Sequence, residues 1–483
     1  MSDKLSRYRS SDAPVPEACW AWNMYGAGVE SIGRDGKPER VDVPDPAADQ
    51  LLVRVDAVGM CYSDVKLIKQ GGSHPKLYNR DLARHPTRLG HEATHTVMKV
   101  GADLQDQFYP GQRLALQPDI YQDGKSTAYG YTIPGGLIQF HLIGPEVLDA
   151  DAGSYVIPVE GDIGYAEAAL TEPWACVEAA YTQRRRLKPK VGGTMWIVGR
   201  PGDSRTYAFS SGLHAPATVV VTDAPSSVLK LVQEEAGKRE LEVVERNGLT
   251  PADYQGLSAE VTDGAGFDDI VVLDPSSAHM VGEAAKLIAR RGTFNLVGRE
   301  PLDGAVSIDV GRIHYDYTAY VGNPGPDIAA SYGEERNRCE LRTEGSAVFV
   351  GAAGPMGQMH VQRAIELSQG PSLLIATDIN ADRLEVLRDS FVGLAEERGK
   401  RLLLFNPADS EESLTDLVMR ETDGHGADDV VVCVPSAPLM ASSAEIMAPD
   451  GMLVLFAGVP NGTMAPLDMS DVYLSNTQYT GTS

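Results

Sequence analysis

The chain changes rhythm near residue 188. From about residue 17 to 160, short apolar stretches are broken by Gly and Pro: LLVRVDAV (51–58) alternates apolar and polar residues from Leu52 to Asp56, VMKVGA (97–102) follows, and RLALQP (113–118) continues the series. Alternation of period two predicts half-buried strands, so this stretch reads as a compact β-rich domain. Near residue 172 the pattern turns helical. Pro173 suits a first helical position, with Glu172 at the cap of a helix running towards Arg184.

After residue 188, apolar runs and helical stretches alternate in two series. The first contains MWIVG (195–199), TVVVTD (218–223), LEVVE (241–245), DDIVVLD (268–274) and TFNLVG (293–298). The second contains AVFVG (347–351), LLIATD (373–378), RLLLF (401–405), DDVVVCV (428–434) and MLVLFAG (452–458). Runs this continuous predict strands buried on both faces of a parallel sheet. TDGAGFDDIVV (262–272) and TDGHGADDVVV (422–432) are identical at eight of eleven positions, and Gly298 precedes Gly458 by 160 residues, so the series read as a duplication. The polar segment 324–345 reads as a connector. The expected fold class is α/β: a β-rich domain with a linking helix over 1–187, then two tandem doubly wound domains over 188–325 and 346–483.

At 483 residues the chain allows about three domains. Its net charge of −25 repels nucleic acid and anionic membranes, which excludes polyanionic partners. The opening MSDKLSRYRSSDAP lacks the apolar core of a signal peptide, and no stretch approaches a membrane span, so a cytoplasmic protein is expected. Five scattered cysteines (Cys19, Cys61, Cys176, Cys339, Cys433) suggest neither a disulfide framework nor a four-cysteine zinc lobe.

The two series begin with unequal loops. The second carries VGAAGPMG (350–357) between a strand and a helical run, with Gly354 and Gly357 at the second and third places of a dinucleotide fingerprint, Ala352 at the first and Gly351 just before it. Such glycines permit a tight turn and close approach of backbone to pyrophosphate at a helix N-terminus, a loop that here also includes Pro355 and Met356. Asp378 ends the next strand, 21 residues after Gly357, where a carboxylate would accept from ribose hydroxyls and repel a 2′-phosphate, favouring NAD. Arg383 would flank the same ribose or adenine, and would aid NADP if Asp378 turned away. In the first series the loop is VGRPGDSR (198–205), where Arg200 and Arg205 replace small residues. This copy is expected to be a relic used for packing or oligomerisation, with a second nucleotide site as the alternative.

Cys61 in GMCYSD, His91 in GHE and Glu172 in EPWAC offer a thiolate, an imidazole and a carboxylate, a donor set used by catalytic zinc with an open fourth position. Their spacing alone does not specify a metal. Together, LLVRVDAVGMCYSD, GHEATHTVMKVG, PGQRLALQP and EPWACVEAAY resemble the zinc-dependent medium-chain dehydrogenase/reductase family over about 15–185, and again over 346–483. Within that family the chain is most similar to sorbose-1-phosphate reductases and sorbitol-dehydrogenase-like members. The resemblance implies a GroES-like catalytic domain, Rossmann-like nucleotide domains, and one catalytic zinc on Cys61, His91 and Glu172. It implies Glu92 as a carboxylate able to bind the ion when substrate is absent, Ser63 as the hydroxyl passing the substrate proton outward, and Asp64 as a group orienting His91 or a neighbour. Ser63 could alternatively be a turn hydroxyl bonding its own backbone. The chain departs from the family in its extra nucleotide-fold copy, its missing structural zinc loop and its end at QYTGTS, where a returning segment is expected.

The function expected is hydride transfer between NAD(H) and a sugar phosphate. Zinc would act as a Lewis acid, Ser63 would relay the proton, and zinc and nicotinamide would flank one carbon. Residues 61–100 bear a local charge of +4 from Lys66, Lys69, Lys76, Arg80, Arg84, Arg88 and Lys99 against Asp64, Asp81 and Glu92, which suits a phosphate or simply forms a solvated face. An unphosphorylated polyol or secondary alcohol is the alternative substrate, and a non-catalytic nucleotide-binding scaffold or sensor the alternative class. The resemblance also implies a homo-oligomer.

Overall fold

A computed structural model describes residues 13–183 and 185–481. Arg184 and most of the polar N-terminal stretch lie outside these residues. The chain divides into two compact units, Met1–Ala175 and Cys176–Ser483.

The first unit is built on a five-stranded antiparallel sheet in the order Phe140–Ile143, Leu51–Gly59, Glu92–Val100, Arg113–Leu116, Val156–Pro158. Leu51, Val53, Val97, Leu114 and Ile143 fill its core. The third of these strands starts at Glu92, five residues before the apolar run VMKVGA, because Ala93 to Thr96 are also buried between neighbours. Glu172 is not a helix cap. A short helix, Tyr165–Ala169, leads almost directly into Thr171–Ala179, and Trp174 N–H already donates to Leu170 C=O, so Glu172 stands in the first turn and Pro173 is tolerated beside it. That helix ends at Ala179, short of Arg184.

The second unit contains two six-stranded parallel sheets of the same topology. Their orders are Glu242–Glu245, Thr218–Thr222, Thr194–Val198, Phe267–Leu273, Ile288–Val297, Ala319–Asn323 and Arg401–Phe405, Leu373–Thr377, Ser346–Val350, Ala427–Val432, Met447–Leu455, Gln478–Gly481. Both place the switch in strand order beside the strand that opens the copy, where doubly wound sheets bind ligands. The sixth strands, in AYVGN and QYTG, carry too many polar and small residues to stand out as apolar runs. Among the described residues no helix is long and apolar enough to cross a membrane.

The copies differ at their first crossover. In the second, helix Pro355–Glu366 joins the first two strands, whereas in the first no helix lies between Val198 and Thr218. The expectation of helical stretches between all strands fails there. Pro201, Gly202, Gly212 and Pro216 interrupt the segment, and Asp203 accepts from the Arg205 guanidinium (3.0 Å) and the Tyr207 hydroxyl (3.0 Å). Arg205 also pairs with Asp274, so the loop is filled by its own charges.

The repeated DG-x-G-x-DD run is a structural node. Asp269 accepts from the Arg186 guanidinium (3.1 Å) and the Lys190 N–H (2.9 Å), while Asp268 accepts from the Thr194 N–H (3.0 Å). In the second copy Asp429 pairs with Arg338 and accepts from the Arg342 N–H (2.7 Å), and Asp428 accepts from the Ser346 N–H (2.9 Å). Each Asp pair thus clamps the segment entering its copy.

The copies meet through equivalent elements. Val306–Asp309 pairs antiparallel with Met464–Leu467, and Ser307 lies opposite Pro466, its own counterpart 159 residues on. A Cβ on Gly322 would stand 2.6 Å from Tyr473 Cβ, and one on Gly481, again 159 residues on, would stand 2.7 Å from His314 Cα. His314 and Tyr473 keep the same offset. One apolar core runs through both copies, including Val306, Ile308, Ile313, Leu467, Val472 and Tyr473.

The Asp429 carboxylate is fully buried against a guanidinium that is mostly buried. Asp429→Ala is expected to lower stability in urea unfolding by about 3–5 kcal/mol, because it strands the Arg338 charge, whereas the double change Asp429→Leu with Arg338→Met should cost much less.

Candidate metal centre and dinucleotide loop

Two antiparallel strands deliver the metal candidates to one place. Gly59, the last residue of Leu51–Gly59, lies opposite Glu92, the first of Glu92–Val100. Cys61 and His91 therefore emerge at the same end of the sheet. Cys61 is the N-cap of helix Tyr62–Gln70, whose first turn holds Ser63 and Asp64.

Asp64 binds these pieces together. Fully buried, it accepts from the Cys61 N–H (2.9 Å) and the Gly90 N–H (3.2 Å), and its Oδ1 lies 3.5 Å from His91 Nδ1. This leaves His91 Nε2 for other partners, and Ser63 Oγ lies 3.3 Å from it. One ligand atom from each of Cys61, His91 and Glu92 lies within 4.8 Å of the others. Glu172 falls outside that set, but its charge acts on His91, Glu92 and Tyr131, so it stands beside the cluster.

The electrostatics suit a cation. Burial disfavours the His91 imidazolium, but hydrogen bonds to Asp64 and Cys61 and the charges of Asp64 and Glu172 outweigh it and raise the pKa to about 10. For Asp64, burial works upward and is outweighed by the hydrogen bond and charge of His91, so its pKa is lowered. Burial and repulsion from Glu172 raise that of Glu92. A positive proton thus sits among a thiol and several carboxylates where a divalent ion would serve better. The backbone is shaped to the same end: a Cβ on Gly59 would collide with the Glu92 carboxylate, and one on Gly130 would come within 2.9 Å of His91 Cβ. The donor types and their closeness fit zinc.

Tyr131, in the loop AYGYTIPGG, was not legible as a site residue. Its ring lies 5.9 Å from that of His91 and 5.3 Å from that of His74, and its hydroxyl shares a hydrogen bond with Ser63. A Tyr in a Gly-rich loop gives no sequence signal of this placement. The basic stretch also resolves into parts. Arg80 donates to the Thr132 (2.9 Å) and Pro86 (3.1 Å) carbonyls, Arg88 donates to Asn23 Oδ1 (3.3 Å), Arg84 lies 3.6 Å from Asp81, and Lys99 pairs with Asp45. Lys66 and Lys76 instead act together on His74, lowering its pKa after burial. Lys76 Nζ lies 5.3 Å from the Tyr131 ring centre, although it also pairs with Asp119 (2.8 Å).

In the second unit, Gly351 has φ +77°, and a Cβ there would strike Val434. Gly354 is the N-cap of helix Pro355–Glu366, Pro355 is at its start and Met356 follows. A Cβ on Gly357 would collide with the Gly351 carbonyl, whereas at Gly354 the nearest atom would be 3.6 Å away. Gly357 thus permits helix–strand contact and Gly354 leaves the loop open, as a bound pyrophosphate requires. Asp378 accepts from the Ala353 (3.2 Å) and Asn380 (3.0 Å) N–H groups, which ties the strand end to the loop. Arg383, in the first turn of Ala381–Glu397, has an exposed side chain.

The alcohol dehydrogenase GroES-like domain model matches residues 47–179. The L-sorbose 1-phosphate reductase of Klebsiella pneumoniae is 29% identical over 322 residues, covering 63% of this chain and 75% of the relative. An uncharacterized Escherichia coli (strain K12) protein, YggP, is 31% identical over 312 residues, covering 60% and 72%. The mannitol-1-phosphate 5-dehydrogenase of Aliivibrio fischeri is 26% identical over 380 residues, covering 74% and 87%.

Metal binding must displace the proton that His91 holds up to about pH 10. Zinc affinity, measured by chelator competition, should therefore rise with pH by about tenfold per unit for each proton released. Asp64→Ala, which frees the ring from its orienting carboxylate, should weaken zinc binding by about 10–100-fold.

Proposed function

The chain belongs to the zinc-type medium-chain dehydrogenase family, and on that premise we propose that this oxidoreductase moves a hydride between NAD(H) and a ketose phosphate or polyol phosphate. The observation that carries the reading is the convergence of Cys61, His91 and Glu92 under the control of Asp64. The relatives named for sorbose 1-phosphate and mannitol 1-phosphate support the substrate class.

When bound, zinc supplies Lewis acidity and NAD accepts or gives the hydride. Cys61 and His91, with Glu92 and Glu172 as the carboxylate candidates, would hold the ion. Asp64 keeps the His91 ring turned so that Nε2 faces the donors. Ser63 Oγ relays the proton that the substrate hydroxyl sheds, accepting it while passing its own hydroxyl proton outward, and Tyr131, hydrogen-bonded to Ser63, fixes the orientation of the Ser63 hydroxyl. Gly351, Gly354 and Gly357 let the backbone cradle the pyrophosphate, with Pro355 and Met356 opening the helix above it. Asp378 accepts from the ribose hydroxyls and Arg383 flanks the adenosine.

Lys66 and Lys76, gathered with His74 beside Tyr131, are the groups best placed for a substrate phosphate. The substrate would be a small molecule in a cytoplasmic setting, which accords with five free cysteines.

Steady-state assays of NADH oxidation should show Lys66→Ala raising KM for a ketose phosphate by about tenfold or more, while an unphosphorylated ketose is turned over unchanged. Equal effects on both would favour the unphosphorylated polyol. Asp378→Ser should shift kcat/KM at least about tenfold towards NADP, since it removes the charge that repels a 2′-phosphate.

A further inference from the structure

The two copies of the second unit present different residues to each other's strand ends. Tyr315 ends helix Val310–Tyr315 of the first copy, and its counterpart, at the same offset as the pairs above, is Leu474, which ends helix Ser470–Leu474 of the second. The residues before them, His314 and Tyr473, are equivalent in the same way. His314 and Tyr315 reach over to Gly458, just past strand Met447–Leu455, and Tyr473 reaches over to Gly298, just past Ile288–Val297.

The two approaches differ in chemistry. Tyr473 is fully buried, its ring would stand 3.4 Å from a Cβ on Gly298, and its hydroxyl donates to the Glu300 carbonyl (2.6 Å). The first copy thus receives a satisfied hydroxyl and the aliphatic Leu474. At Gly458, by contrast, a Cβ would strike the Tyr315 hydroxyl and stand 2.8 Å from His314 Nε2. His314 Nδ1 donates to the Leu455 carbonyl (3.0 Å), which holds that ring in place, and the Tyr315 ring packs edge-on against it at 4.5 Å. Tyr315 is 37% exposed. A phenolic hydroxyl is therefore brought against bare backbone in the copy that keeps its open glycine loop.

That edge is where the far half of a dinucleotide would lie. Asp378 stands on one side of strand Ser346–Val350, and Ala427–Val432 followed by Met447–Leu455 stand on the other. With the adenosine ribose at Asp378 and the pyrophosphate at loop 351–357, the second nucleoside extends over the carboxyl ends of those two strands. Val434, just past Ala427–Val432, faces Gly351, and the Ala457 N–H donates to the Val432 carbonyl (3.0 Å), so Gly458 lies on the same rim. Two strand spacings separate it from the loop, about 10 Å, a distance that one nucleoside covers.

We propose that Tyr315, from the copy whose own loop is filled, donates a hydrogen bond to the nicotinamide carboxamide of NAD(H) held by the other copy. The inference rests on the NAD(H) reading above. Any residue larger than glycine at 458 would push this hydroxyl aside. The first copy is then a fixed neighbour within the same chain: it supplies one polar group to a site it no longer contains, while Arg205 and Asp203 occupy its own loop.

The test is calorimetric binding of NAD and of ADP-ribose, which lacks only the nicotinamide, to the full-length protein. Tyr315→Phe removes the hydroxyl and keeps the ring. It should weaken NAD binding about three- to tenfold and leave ADP-ribose binding unchanged. Leu474→Ala, at the equivalent place facing the filled loop, should change neither affinity. Unchanged NAD affinity in Tyr315→Phe, or equal losses for both ligands, would overturn the proposal while the nucleotide reading stands. So would a loss of NAD affinity in Leu474→Ala as large as that in Tyr315→Phe. An unmodified protein that binds neither ligand would overturn the nucleotide reading itself, and the proposal with it.

Discussion

The first unit depends on one buried carboxylate. Asp64 gathers the backbone at Cys61, the backbone at Gly90 and the ring of His91 into a single hydrogen-bonded knot. The sheet register brings two chain segments together, but only to within a strand spacing. A helix whose third residue reaches back to the N-cap converts that rough approach into a fixed donor geometry. A fully buried carboxylate needs several partners of this kind to remain charged, so the group that organises the donors is itself held by them.

The second unit uses the same economy twice. In each copy a buried Asp binds the guanidinium and a backbone N–H of the entering chain, and the adjacent Asp takes the N–H at the start of the first strand or just beside it. The identity of the two DG-x-G-x-DD runs follows from this shared task. The left-handed Asp263 and Asp423, each followed by a glycine of positive φ, make the turn that brings both carboxylates inward. The nucleotide loops carry no such common task, and they have diverged into an open glycine turn in one copy and an ion-paired plug in the other.

Much of this was legible because it rests on local patterns. Apolar runs marked ten of the twelve strands of the two parallel sheets, the repeat marked the duplication, and the glycine spacing marked the loop at 351–357. Other parts depend on distance in space. Glu92 reads as a neighbour of the site, yet the register opposite Gly59 puts its carboxylate among the donor atoms. Tyr131 reaches Ser63 only because its loop folds over the end of the sheet. The missing helix after Val198 was hidden by its strand on either side, which looks the same in both copies.

The antiparallel pairing of Val306–Asp309 with Met464–Leu467 has one more consequence. When two identical chains pair in this way, any residue on the axis faces itself, and every change is made on both sides at once. Here the two sides are encoded separately, so a hydroxyl-bearing Ser307 can face a Pro466 that has no N–H to give. Each half is free to drift without dragging its mirror image along, and one can keep its chemistry while the other surrenders it.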